Sequence, residues 1–257
     1  MVKFYSSNYT YDYPFSAVTL AYFLRYPNPY SRHVASTDTI SRSFDATTQR
    51  LTTIRLHLKK SRLPPTVLKL LPRSTLGASE DGSTQSFILE KSVVDVKEGW
   101  MQTESRNLDW NNVLSVIERQ TYHRPETPSH HIPTNEIKEL QTMGVVGPTD
   151  QGQTLCEVSV TLKSRIGEQI RKRRQMWGEQ ASATSVAGGG EVEEKRGFFS
   201  SWTSGAIRSA VESISLQRTE RSQPKAKKGM NVVLERLRDG GLVRVLEGMR
   251  DDRAVEV

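Results

Sequence analysis

The stretch RYPNPYSRHV, residues 25–34, divides two kinds of sequence, and its position decides how the neighbouring segments are read. Pro27 and Pro29 cannot continue a helix, and each biases the residue before it toward extended backbone. Upstream, Pro14 suits a first helical turn, and Phe15, Val18 and Tyr22 recur at helical spacing, so a short amphipathic helix is expected to end before Pro27. Downstream, residues 34–44 read as a strand. Arg25 is left at the mouth of a helix-to-strand turn, a natural place to hold an anion, although an arbitrary arginine is more often a solvated surface charge.

The next segment, LTTIRLHLKK at residues 51–60, alternates with the period of a strand. Ile54, Leu56 and Leu58 share one side, while Arg55, His57 and Lys59 share the other. Lys60 breaks the segregation by falling with the apolar set, where an ammonium needs a counter-charge, water or an anionic ligand unless the strand ends first. SRLPPTVLKLLPRS follows, an apolar patch bracketed by Pro64, Pro65 and Pro72 that is expected to pack on the core or insert into something greasy.

Further strands are expected at residues 86–96, 101–108, 113–122 and 154–163, joined mostly by short turn signals, which implies an antiparallel meander. Residues 123–153, rich in proline, threonine and glycine, and 165–204, which have no apolar period, read as insertions, the second carrying RKRR at 171–174 and three glycines at 188–190. Helical character returns over 205–245. Ile207, Val211 and Ile214, then Met230, Val233, Leu234 and Leu237, fit one face, with Pro224 as an interruption and Gly240-Gly241 as a stop. The expected class is α+β, a sheet with a short early helix and a long late one.

Composition agrees with one domain carrying long insertions: 257 residues, 35% hydrophobic, 25% charged and a mean hydropathy of -0.55. A net charge of +7 and a pI near 9.5 imply attraction to nucleic acid or anionic lipid. The single cysteine, Cys156, cannot form an intrachain disulfide and reads as a small buried hydrophobe. The N-terminal residues show neither a secretory signal nor a transit peptide, and the apolar run 15–24 is too short to span a bilayer.

Catalytic signatures are not found. No nucleophile elbow, Cys-His context or phosphate loop is present, and the glycines at 188–190 read as a linker. His130-His131 lacks the additional ligands a metal would need, so no metal and no cofactor is assigned, and no enzyme is indicated. RKRR could serve a nucleic-acid patch, but aromatic residues do not interleave with it as stacking platforms would.

RYPNPYSRHV, followed in order by STDTISRSFD, TTIRLHLKKSRLP, EKSVVDV, SRNLDWNNVLSVIERQTY, AVES and KKGMNVVLERL, resembles the PRELI-like family of mitochondrial intermembrane-space lipid transfer proteins, and most of all its fungal Ups-type phosphatidic acid carriers. The resemblance implies a START-like fold: a curved antiparallel sheet of about seven strands around a long C-terminal helix, enclosing one phospholipid. It implies a single domain over 1–247, with insertions at 125–152 and 165–204 and a tail at 248–257. Headgroup contacts are expected from Arg25 and Lys60, with Arg218, Lys225, His33 and Arg62 completing the basic set, and a lid from Pro64, Pro65, Val67, Leu68, Leu70 and Leu71. Ile214 stands where relatives carry tryptophan. The implied activity is transfer of phosphatidic acid between mitochondrial outer and inner membranes for cardiolipin synthesis, at the inner-membrane surface in the intermembrane space, with a small twin Cys-x9-Cys partner. A phosphatidylserine carrier of the same fold and a basic adaptor or nucleic-acid-binding protein are the alternatives.

Overall fold

The structure is a computed structural model, and it describes residues 2–62, 79, 83–111, 113–125, 152–165 and 204–254. The chain opens with strand β1 (Val2–Tyr11), then helix α1 (Phe15–Phe23), β2 (Val34–Asp45), β3 (Arg50–Arg62), β4 (Ser83–Asp95), β5 (Trp100–Asn107), β6 (Leu114–His123) and β7 (Thr154–Ser164), and it closes with helix α2 (Ser204–Ala254). The strands form one antiparallel sheet in the order β1-β7-β6-β5-β4-β3-β2. The expected meander is therefore β2 to β7 in sequence, and the expected α+β class is what the chain adopts. β1 was not among the strands expected from the residues. Its polar alternation (VKFYSSNYTY) conceals a strand that pairs along its whole length with β7, from Val2 opposite Lys163 to Tyr11 opposite Thr154.

The core forms where one face of the sheet meets α1 and the later part of α2. Val18, Ala21 and Tyr22 of α1 and Val233, Leu234 and Val245 of α2 are essentially inaccessible to solvent, together with Met101, Tyr122, Cys156 and Leu162 of the sheet. Burial of side chains of this size contributes roughly 1.5–3 kcal/mol each, so these contacts are the main force seating α2 against β1, β7 and α1. The PNPYS turn supplies a second docking point. Asn28 is buried, donates from Nδ2 to the Arg25 carbonyl at 2.5 Å and accepts the Tyr30 amide at 2.9 Å. Gly229 of α2 packs directly on it: a Cβ there would fall 2.6 Å from Asn28 Oδ1, so only glycine lets the helix approach this closely.

Two expectations about α2 change. Pro224 does not interrupt it; the backbone stays helical through the proline, which forfeits one hydrogen bond. The break lies instead at Gly240 and Gly241, the latter at φ 61°, a conformation that favours glycine. Beyond the break the helix resumes rather than stops. Residues 248–254, expected within a tail, are helical, Gly248 is buried, and Arg236 reaches Asp252 at 2.7 Å, tying the two arms together. The expected insertions at 125–152 and 165–204 lie almost wholly outside the described residues. No described helix is long and apolar enough to cross a membrane.

The expected facing of β3 is reversed. Thr53, Arg55 and His57 are buried, while Ile54, Leu56 and Leu58 are only half-buried. The physical reason lies on the neighbouring strand: Arg55 is directly opposite Glu90 of β4, and the carboxylate neutralises what would otherwise be a prohibitive buried charge. Lys60 is tolerated because it is exposed near the end of the strand, with no buried counter-charge required.

Candidate functional site

Between the sheet and the first arm of α2 lies a cavity of about 690 Å³, within the usual range of roughly 300–1,000 Å³ for small-molecule sites. All six residues expected to contact a headgroup, Arg25, His33, Lys60, Arg62, Arg218 and Lys225, line it. They come from four separate places: the end of α1, the turn before β2, the end of β3, and α2. Lys59 and Arg221, not singled out from the sequence, join them. The expected lid residues Pro64, Pro65, Val67, Leu68, Leu70 and Leu71 lie outside the described residues.

The cavity floor is a buried ionic cluster built on Glu90. Its Oε1 accepts from Arg55 Nε at 2.9 Å and Nη2 at 2.5 Å, and its Oε2 accepts from Arg25 Nη2 at 2.5 Å. Arg55 also donates from Nη1 to the Phe23 carbonyl at 3.0 Å, which fastens β3 to the C-terminal end of α1. Arg25 lies over the Tyr22 ring, 3.7 Å from its centroid, and 4.8 Å from that of Tyr26, so aromatic faces support the guanidinium where water is scarce. His57 Nε2 is 3.3 Å from Glu90 Oε2 but poorly aligned for a hydrogen bond, while its Nδ1 is 2.9 Å from Thr37 Oγ1.

These surroundings fix the protonation states. Burial alone would raise the Glu90 carboxyl, but Arg25, His57 and Arg55 overrule it and hold the group well below the usual carboxylate range. Burial works against the Arg25 charge, yet Glu90 outweighs it and keeps the guanidinium protonated. For His57, burial prevails over the attraction of Glu90, and its pKa is lowered, which makes the imidazole neutral at pH 7. Two guanidiniums and one carboxylate leave the floor with one net positive charge.

The rim differs in kind. Lys60, Arg62, Arg218, Arg221 and Lys225 are exposed, and none makes an ion pair among the described residues. Desolvation at the cavity wall, then the charges of Lys59, Arg218 and Lys225, push the His33 imidazole down to about 4 even though the residue reaches solvent. A mutually repelling set of cations around an open cavity is suited to an anion, whose arrival relieves the repulsion and gains charge-assisted hydrogen bonds. A polar chain crosses the wall: Tyr122 donates to Gln120 at 2.6 Å, Gln120 to Glu118 at 2.6 Å, and Gln223 of α2 to the same Glu118 oxygen at 3.2 Å. Cys156 also lines the cavity, but burial lifts its thiol to about 12, so it stays protonated near neutral pH. No cluster of three or more metal-ligating side chains occurs among the described residues.

The sequence pattern of the PRELI-like family matches residues 16–172, more than half of the chain and most of the sheet that forms this cavity. The chain belongs to the PRELI-like family. Its relatives include mitochondrial protein Ups1 of Saccharomyces cerevisiae, 40% identical over 170 residues that span 65% of this chain and 91% of Ups1. PRELI domain-containing protein 1 of chicken, also named as mitochondrial, is 30% identical over 185 residues, covering 71% of this chain and 81% of that protein. Among solved structures, the Zhui aromatase/cyclase of Streptomyces sp. R1128 aligns over 93% of this PRELI-like chain and 98% of its own, with 11% identity and a TM-score of 0.43.

Glu90, Arg55 and His57 were missed as site residues although each lies in a quoted motif. EKSVVDV begins at Glu90 itself, and only the β3–β4 register shows that this glutamate faces Arg55. Their signal was cross-strand charge complementarity, which a single strand does not display.

Proposed function

We propose that this protein is a mitochondrial phospholipid carrier that binds one phosphatidic acid with its headgroup among Arg25, His33, Lys60, Arg62, Arg218 and Lys225. The observation that carries the reading is the convergence of these six basic residues, distant in sequence, on one cavity of a PRELI-like chain. Arg25 at the floor receives the phosphate, and the exposed cations of the rim supply the remaining charge. Acyl chains gain roughly 0.8 kcal/mol per methylene from leaving water, which makes desorption from a bilayer slow unless a protein cavity accepts them.

The carrier shuttles between the outer and inner mitochondrial membranes through the intermembrane space, where a small twin Cys-x9-Cys protein accompanies it, and its cargo feeds cardiolipin synthesis. Mitochondrial placement follows the names of its yeast and chicken relatives. The basic rim favours docking on anionic bilayers, which salt weakens. No covalent step is assigned to the cavity. A second cargo, phosphatidylserine, is favoured by one observation: Glu118 lines the same cavity and would suit an ammonium group.

Transfer between liposomes of fluorescent phosphatidic acid and phosphatidylserine tests both cargoes. Wild-type protein is expected to move phosphatidic acid faster, and Arg25→Glu and Lys60→Glu to abolish or greatly slow that transfer. Movement of neither lipid, or equal transfer by the charge-reversed variants, overturns the assignment.

A further inference from the structure

We propose that Glu90 is a positioning residue, which aims the Arg25 guanidinium into the cavity by holding it against Tyr22 while Arg55 stays locked behind it. The inference rests on the carrier reading above, because it assigns Glu90 a role exerted through Arg25 on the cargo.

The two arginines share the carboxylate unequally. Arg55 is 3% exposed, spends Nε and Nη2 on Oε1 and Nη1 on the Phe23 carbonyl, and does not line the cavity. It is held from both sides. Arg25 is 15% exposed and is fastened to Glu90 through Nη2 alone, with a weaker contact of 3.4 Å from Nη1 to the Tyr22 carbonyl. Its Nε makes no hydrogen bond among the described residues, so donor capacity remains for a ligand on the cavity side. One oxygen of Glu90 thus neutralises a structural arginine, and the other steers the arginine that meets the cavity.

Removing the negative charge leaves two guanidiniums facing an amide in a poorly solvated floor. Like charges so placed repel strongly. Arg55 is pinned by the Phe23 carbonyl and lies 5.2 Å and 5.0 Å from the Tyr22 and Phe23 ring centroids, so Arg25, with the exposed edge, is the one that leaves its place. His57 does not replace the lost counter-charge, since it is neutral or positive and never negative.

The test is a double-mutant cycle on the full chain, with Glu90→Gln, Arg25→Gln and the double variant, reading capture of phosphatidic acid from phosphatidylcholine vesicles alongside the melting temperature. Glu90→Gln is expected to lower capture about tenfold in the wild-type background and less than about twofold once Arg25 is gone, because both changes remove the same contact. The same factor in both backgrounds, or unimpaired capture by Glu90→Gln, overturns the proposal. Should Glu90→Gln fail to fold, Glu90→Asp decides: it keeps the charge but not the reach to both arginines, and reduced capture at a wild-type melting temperature supports positioning, whereas full capture overturns it. If the wild-type chain captures no phosphatidic acid, the carrier reading falls and this inference with it; an additive cycle with an active wild type removes only the role of Glu90.

Discussion

The floor and the rim of the cavity both use basic residues, but they solve opposite problems. At the floor, Arg55 and Glu90 are buried and Arg25 is half-buried against the same carboxylate, every charge has a fixed neighbour, and the protonation states are set by the fold. At the rim, Lys60, Arg62, Arg218 and Lys225 are solvated, lack ion pairs among the described residues and repel one another. The comparison teaches that the same charge is structural where desolvation makes its partner indispensable, and adjustable where water and salt can take the partner's place.

The largest effect that would break this contrast is on stability. Glu90→Leu strands the buried Arg55 and the half-buried Arg25 guanidiniums and is expected to cost about 3–5 kcal/mol, the usual penalty for removing one member of a buried ion cluster. Lys225→Ala on the exposed rim should stay within about 0.5 kcal/mol. Urea titrations compare them, and similar small losses at both sites would erase the distinction between floor and rim.

Salt separates the two regions next. Capture of phosphatidic acid from vesicles, followed by stopped-flow fluorescence, is expected to slow as ionic strength rises toward about 1 M, where screening acts within roughly 3 Å. The paired variant Arg218→Gln/Lys225→Gln should be slow at low salt already and respond less to added salt. A salt response undiminished by that variant would place the docking charge elsewhere.

The smallest effect is that of pH. His33, at about 4, and His57, also lowered, prefer to be neutral in the folded protein, whereas an ordinary histidine titrates at 6.5. Each therefore contributes stability that is complete above about pH 6.5 and is lost as pH falls toward the folded-state value. Glu90, held below its ordinary 4.5, adds a further loss only at more acidic pH. The urea midpoint should drop between about pH 7.5 and pH 5, and His33→Gln should remove part of that drop; an unchanged slope would mean that the rim histidine is not linked to folding.

Much of the fold was legible because its signals are local. Pro14 and Pro27 bound α1 to within a few residues, alternation found six strands, and RYPNPYSRHV marked the turn between helix and sheet. β1 escaped because Ser6, Ser7 and Asn8 dilute the apolar pattern of a strand whose stability comes from its ladder to β7. Pro224 misled for a related reason. A single missing hydrogen bond is affordable where Met230, Val233 and Leu234 bury the turns that follow, while the adjacent glycines at 240 and 241 give the helix no such restraint.

The site was legible as a set of cations and illegible as an arrangement. Arg25 and Lys60 stood out through a proline-bounded turn and a break in alternation, and both line the cavity, but the reason inferred for Lys60, burial on an apolar side, is replaced by exposure near a strand end. By itself the sequence determined where the chain turns, six of the strand segments and that the protein is basic, since these depend on composition and on neighbours a few residues apart. Only the tertiary structure decided which face of β3 is inside, because that choice rests on Glu90, thirty-five residues beyond Arg55 and directly opposite it in the sheet.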